Sequence, residues 1–515
     1  MSRFSSLVLL VNSLSKAERR GFSTSFNKSE DLTDYVFLYK LIEKNQNKSE
    51  EKIKAEFLKA RPEATLNTAI NYLFDCVLGT LTQMRMNQDS FFLLMNQLMY
   101  AKVLYEKSIY KECFKLLEKV KKEANYFENF PVLLIAQKLE QNFLFNLDFP
   151  EITEQELLKK QYRINDTLRK ERKINEHASL CELLKYRILN KGTVRSNKQK
   201  QEFNDLIVSE MSIVSNSNFE NFEIEKNHKL FQSNYLINTG DYKSALNSYY
   251  ELNSLFEQNK HLLNNPPMFY MMTIEGILES LRTIGKYESM SYFIEQLSKL
   301  KSNSSHFAAQ TECVVFLYTL FPLIDVGRFG DANLLVEKNK INLYEKRHLL
   351  VPARQAQLTL YTALTYFGNL DYQKARKTLN QIINVEKNIY NLPIFRTIRL
   401  VNLMIWNELN EFDYVEHEVR AIKREVQNNE RLYQIEWLVL KLLNKPLNYL
   451  SQHERDKLWS KIEPQLIEFR NNKFEAQLLR IFDFTAWIES KIRNSPLDYL
   501  LSLKQQTSPV NEPLL

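Results

Sequence analysis

The sequence predicts an all-α protein, built as an α-α superhelix of stacked helical hairpins with helical caps at both ends. Three observations predict this class. Glycine is scarce, with nine among 515 residues, whereas sheets and tight hairpin turns use glycine heavily. Apolar residues recur at intervals of three and four, which is the helical period. A short turn followed by an aromatic residue and a helical stripe also recurs along the chain, as it does in repeat proteins.

The repeat is clearest in the stretch NTGDYKSALNSYYEL, residues 238–252. From Tyr242 the stripe continues at Ala245 and Tyr249, which share one helical face with Leu252. A glycine two residues before the aromatic, as in this stretch, is expected to end the preceding helix with a positive φ. The last five aromatics in this register are 45, 42, 43 and 40 residues apart. The other members of the register are Tyr110, Tyr287, Phe329, Tyr372 and Phe412.

Outside the repeats, the helical pattern continues without the turn-aromatic register. We therefore expect an N-terminal helical bundle or cap over residues 1–90, first repeats over 91–218, the best repeats over 219–430, a C-terminal helical cap over 431–493, and a partly disordered tail over 494–515.

The segment GDYKSALNSYY resembles the tetratricopeptide (TPR) repeat, in which a similar turn precedes an Ala-x-x-x-aromatic helix. The resemblance covers roughly residues 90–145 and 220–430, with a period longer than the ~34 residues usual for that family. The opening LVNSLSKAERRGF also resembles an uncharacterised bacterial (Bacteroidota-type) repeat family. The TPR likeness implies a groove lined by the first helix of each pair. The polar residues it places there are Lys102, Asn234, Glu275, Glu279, Arg282 and Asn407.

Motifs that would indicate an enzyme or a cofactor site are missing from the sequence. GxxxxGK[ST], GxGxxG and HExxH do not occur, and these carry phosphate, dinucleotide and zinc sites. The cysteines are far apart and are expected to be small buried hydrophobes. We therefore expect no enzyme, no cofactor and no metal. Since no apolar run approaches the length of a membrane span, of about 18 residues, we also expect a cytoplasmic protein without a membrane partner.

One segment carries more positive charge than the rest of the chain. Residues 159–200 contain thirteen Lys or Arg and four Asp or Glu, a net charge of +9, whereas the whole chain has +7. We expect this segment to be irregular, with a loop at NKGTVRSN. This can be an ordinary solvated face, or a docking surface for an acidic protein or a nucleic acid. The basic residues expected on one side of a helix are Lys159, Arg163, Lys170 and Lys173.

The function expected from this scaffold is non-enzymatic binding. A partner peptide or helix would lie in the superhelix groove. The alternative is a nucleic-acid-associated or peptide-sensing regulator that uses the basic segment, with the N-terminal helices as a possible reader.

Overall fold

The computed structural model describes residues 2–24, 33–45, 49–86, 89–192, 194–215, 221–263, 266–302, 304–383, 389–390, 392–427, 433–445, 447 and 450–507. Within these ranges the chain forms helices and turns and no strand, which confirms the all-α class. It folds into two compact units, Met1–Glu171 and Arg172–Leu515. The division falls inside one long helix and not at a boundary expected from the repeats.

The first unit begins with five helices that share one apolar core. Helix α5 contacts α1, α2 and α3, and the core residues Leu7, Leu38 and Leu73 are fully buried. Three further helices, α6 to α8, pack in chain order. The bounds are α1 (Arg3–Ser13), α2 (Lys16–Thr24), α3 (Asp34–Lys44), α4 (Glu50–Ala60), α5 (Leu66–Arg85), α6 (Ser90–Glu106), α7 (Tyr110–Tyr126), α8 (Phe130–Asn146) and the first part of α9 (Glu154–Lys191).

The second unit consists of helical pairs followed by a group of C-terminal helices. The bounds of the pairs are α10 (Asn197–Gln201), α11 (Asn204–Ser215), α12 (Phe222–Asn238), α13 (Tyr242–Gln258), α14 (Met268–Thr283), α15 (Met290–Lys299), α16 (Ser305–Asp325), α17 (Phe329–Glu345), α18 (Pro352–Gly368), α19 (Tyr372–Ile383), α20 (Pro393–Glu408) and α21 (Phe412–Gln427). The C-terminal helices are α22 (Gln434–Leu443), α23 (Gln452–Asn471), α24 (Ala476–Leu479), α25 (Phe484–Arg493) and α26 (Leu497–Thr507).

Alternate helices of the second unit contact one another in a row. Helix α14 packs on α12 and on α16, then α16 packs on α18, α18 on α20, and α20 on α22. The helices between them, such as α13 and α19, pair with their chain neighbours. Each pair therefore buries its apolar face against the next pair, because one helical hairpin has too little core of its own.

The turns between paired helices share one backbone conformation, whatever residue occupies them. The residue two positions before each turn aromatic has a positive φ. Glycine meets this requirement without strain, but three turns use other residues. The angles are 61° at Ser108, 81° at Gly240, 76° at Gly285, 77° at Gly327, 61° at Leu370 and 62° at Asn410.

The apolar stripe is buried as predicted, but the aromatic that begins it is not always buried. Ala245 and Leu252 are fully buried. Tyr242 is 7% exposed and the Arg480 side chain lies over its ring. Tyr110 and Phe412, however, are 37% and 41% exposed. Burial here depends on which element covers the turn, and the repeat does not determine that element.

The segment 159–200 is not irregular, which corrects the sequence-based expectation. Most of it belongs to α9, a helix of 38 residues. The residues 154–191 contain neither glycine nor proline, so nothing in them breaks a helix. Gly192, with φ of 81°, follows the helix, and the expected loop begins there. The apolar stripe of this helix is weak and includes the buried Ile164.

The C-terminal helices cover the ends of the earlier pairs. The carbonyl oxygen of Lys473 lies so close to Gly240 that a Cβ there would be 2.8 Å away. The start of α26 covers Gly327 in the same way, at 2.6 Å from the Asp498 oxygen. Within the segment 494–515, which was expected to be a partly disordered tail, Leu497–Thr507 form helix α26. The remaining residues 508–515 lie outside the described ones.

Among the described residues, one helix is long and apolar enough to cross a membrane, by length and composition. This helix is α16, and 67% of its most apolar window is buried inside the protein. It contacts α14, α15, α17 and α18. The same apolar character is what the central helix of a packed unit needs.

Candidate binding cavity in the second unit

Four of the six polar residues expected in the groove line one cavity of about 380 Å³ in the second unit. Asn234 comes from α12, and Glu275, Glu279 and Arg282 come from α14, where they lie three or four residues apart on one helical face. The other two do not line it. Lys102 is exposed on α6 in the first unit, and Asn407 is half-buried on α20.

Arg282 is held by the protein itself and is therefore not free for a ligand. Its Nε and Nη2 each donate to the carboxylate of Asp325 at 2.7 Å, and its Nη1 donates to the Tyr361 hydroxyl at 3.3 Å. The guanidinium also lies 4.0 Å from the centre of the Phe321 ring, and its side chain is 2% exposed. Such a bidentate, stacked arrangement suits arginine and no other cation. Arg282 ties α14 to α16 and α18.

Glu279 is bound by a residue from the C-terminal helices. Arg480, which follows α24, places its Nε 2.6 Å from the Glu279 Oε1, and the Tyr318 hydroxyl donates to Oε2 at 2.8 Å. Burial alone would raise the pKa of the Glu279 carboxyl, but the charges of Arg480 and Arg282 outweigh it and hold that pKa below its ordinary value. The carboxylate is therefore ionised at neutral pH. Sequence reasoning missed Arg480, because nothing local links residues two hundred positions apart.

A second acidic side chain in the cavity also has an arginine partner. Arg354 Nη2 donates to Glu275 at 2.8 Å, and its Nη1 donates to the Gln357 Oε1 at 2.8 Å. The Arg354 Nε is buried without a hydrogen-bond acceptor among the described residues. Since an unpaired buried donor is costly, this N–H is a point at which a ligand oxygen would be favourable.

The far wall of the cavity contains another incompletely bonded guanidinium. Arg195 lies 4.4 Å from the centre of the Tyr433 ring, and its Nε and Nη1 are buried without an acceptor among the described residues. The nearby Glu436 and Glu475 carboxylates accept instead from backbone N–H groups at the start of α22. Burial raises the pKa of both carboxyls, and the charge of Arg195 opposes this rise.

These groups supply charge and hydrogen bonds more readily than proton transfer. The acids Glu275 and Glu279 are paired with arginines, and arginine does not give up its proton in proteins. The buried N–H groups of Arg195 and Arg354 can donate to carbonyl or carboxylate oxygens. The arrangement is suited to holding a ligand with acceptor oxygens.

The four basic residues expected on one side of a helix all lie on α9, but in different environments. Lys159 and Arg163 are exposed, whereas Lys170 is half-buried with its Nζ 3.0 Å from Asp166. Lys173 is half-buried and belongs to the second unit. An apolar residue of the same helix, Leu168, is also 42% exposed. Only part of the positive charge in this segment is free to meet a partner.

Comparisons of the chain with protein-family models, with curated proteins and with solved structures found no match. The geometry of the cavity therefore carries the functional inference.

Proposed function

We propose that this chain is a non-enzymatic scaffold, a TPR-like superhelix that binds a segment of a partner protein through the cavity of its second unit. The row of contacts between α12, α14, α16, α18, α20 and α22 supports the superhelix, because stacked hairpins produce this pattern. The C-terminal segment closes part of the groove, since Arg480 already forms an ion pair with Glu279. The partner would therefore enter the remaining cavity and not run along the whole groove.

The observation that carries this proposal is the set of unpaired buried donors in the cavity. The Nε and Nη1 of Arg195 and the Nε of Arg354 lack acceptors among the described residues. A partner segment offers backbone carbonyls and side-chain carboxylates as acceptors, and charge-assisted hydrogen bonds are the stronger ones. A volume of about 380 Å³ lies within the range of binding pockets and admits a few side chains.

Selection of peptides from a random library on the immobilised full chain tests this proposal. We expect enriched peptides to carry Asp or Glu and to lose at least tenfold in affinity for the variant Met272→Trp, whose larger side chain takes up part of the cavity. The variant Lys102→Glu is the control, because Lys102 is exposed in the first unit, and it should leave binding unchanged. A library that yields no binder, or binders indifferent to Met272→Trp, would refute the proposal.

A further inference from the structure

The first unit contains a second cavity, of about 400 Å³, between α7, α8 and the beginning of α9. It has no part in the proposed partner site, which lies in the other unit. Its walls come from three helices of one compact body and from the turn between α8 and α9. The volume falls within the range usual for sites of small molecules, about 300–1,000 Å³.

One side of this first-unit cavity is apolar. Leu133 and Leu144 contribute from α8 and Ile164 from α9, and all three are buried. The ring of Phe149 joins them from the turn between these helices. Phe149 has φ of 55°, a conformation that a bulky residue rarely adopts. The turn thus holds an aromatic ring at the cavity in spite of backbone strain.

Most of the charged side chains of the cavity form ion pairs. Glu140, with a side chain 7% exposed, lies between Lys121 at 2.7 Å and Lys160 at 2.8 Å. Lys121 also pairs with Glu118, and Lys170 pairs with Asp166. These pairs neutralise one another.

Two cations at the same cavity are left over from this pairing. Arg163 and Lys122 are exposed, line the cavity, and make no ion pair within the described residues. The opening therefore carries a net positive charge, and its Arg163 guanidinium can form a bidentate bond to an anion.

A buried acceptor completes the site. Gln137, one helical turn before Glu140 on α8, is 8% exposed and lines the cavity. Its Oε1 is buried and has no donor among the described residues. Leaving such an acceptor unpaired is unfavourable, whereas a ligand N–H or O–H would satisfy it.

We infer that the first-unit cavity binds a small amphipathic organic anion. Such a ligand has an apolar, ring-sized body against Leu133, Leu144 and Phe149. It has one N–H or O–H group that donates to the Gln137 Oε1, and an anionic group at Arg163.

Two fluorescent probes that differ by one group test this inference. 8-Anilino-1-naphthalenesulfonate has an aromatic body, one N–H and a sulfonate, and N-phenyl-1-naphthylamine is the same molecule without the sulfonate. Titrated into the full-length protein, the sulfonate probe should bind one site at least about tenfold more tightly than its neutral analogue, because its anion reaches an uncompensated cation. Equal affinities of the two probes, or no saturable site, would overturn the inference.

Three variants locate the site. Arg163→Glu should weaken the sulfonate probe about tenfold or more and leave the neutral probe unchanged. Lys159→Glu makes the same charge change at an exposed position of α9 that does not line the cavity. It should alter the affinity by less than about twofold, because salt screens a charge that does not contact the probe. Equal effects of the two charge reversals would mean that only the general field of α9 attracts the probe, and this outcome would overturn the assignment.

Gln137→Met keeps the side-chain volume and removes the acceptor. It should weaken both probes, since both carry the N–H, while the melting temperature stays the same or rises because an unpaired buried oxygen is removed. A variant that melts earlier and binds the probes normally would show that Gln137 serves packing alone, against the inference.

Discussion

The ion pair between Glu279 and Arg480 is expected to hold the C-terminal helices against the helical pairs of the second unit. The two side chains are 18% and 20% exposed and their charged atoms are 2.6 Å apart. Removing one partner of a buried ion pair costs about 3–5 kcal/mol, because the other charge is left without compensation. Partial exposure puts this pair at the lower end of that range.

The two single variants should differ slightly. Glu279→Gln leaves Arg480 with the Tyr242 hydroxyl at 2.9 Å as its acceptor, and we expect a loss of about 3 kcal/mol in the free energy of unfolding. Arg480→Met leaves Glu279 with the Tyr318 hydroxyl, so the loss should be about 2–3 kcal/mol. The double variant removes both charges and should lose no more than either single one. The coupling energy is then at least about 3 kcal/mol.

Urea denaturation followed by tryptophan fluorescence measures this cycle in the second unit alone. All four tryptophans lie between residues 406 and 487. The exposed pair Glu295–Lys299, with side chains 63% and 59% exposed, serves as the control and should show no measurable coupling. Additive effects of Glu279→Gln and Arg480→Met would refute the claim that this pair docks the C-terminal helices.

Three further changes test the packing of the second unit by the same denaturation assay. Leu370→Gly should stabilise it by about 0.5–1 kcal/mol, because the strain of leucine at a positive φ exceeds the entropy that glycine loses on folding. The control Leu334→Gly, at an equally exposed leucine inside α17, should destabilise it by about 1 kcal/mol. Gly276→Ala should cost about 2 kcal/mol or more, since the new Cβ would lie 2.2 Å from the buried Tyr249 ring; full stability in this variant would show that α13 and α14 are farther apart. Burial, followed by the charge of a neighbouring histidine, lowers the pKa of His177 below 6.5. The unfolded chain therefore binds the proton more readily, and the free energy of unfolding should fall as the pH drops below about 6.5. The variant His177→Leu should lose less stability over the same pH range. Identical pH profiles of the two proteins would contradict this.

Local features of the sequence were enough to predict the helical pairs. The stripe from Tyr242 to Leu252 needs only the helical period to place its side chains on one face. The positive φ before each turn aromatic was predictable at Gly240, where glycine favours it. Leu370 adopts the same conformation although leucine disfavours it, because the packing of the two helices on either side imposes the turn.

The candidate site was predicted only in part. The helical spacing of Glu275, Glu279 and Arg282 correctly brings them to one face of α14, since the side chains are three and four residues apart. Their partners were beyond the reach of sequence reasoning. Arg354 and Arg480 come from distant elements of the chain. Because they pair with Glu275 and Glu279, these two acids contact the protein itself and not a ligand.

The sequence by itself determined the helical pairs of the repeats and the stripe by which neighbouring pairs pack, because these depend on residues three to ten positions apart. The tertiary structure alone decided which charges remain unpaired. The N–H groups of Arg195 and the Gln137 oxygen, which lack partners among the described residues, result from how distant helices meet. The cost of an unpaired polar group arises only when packing has removed it from water.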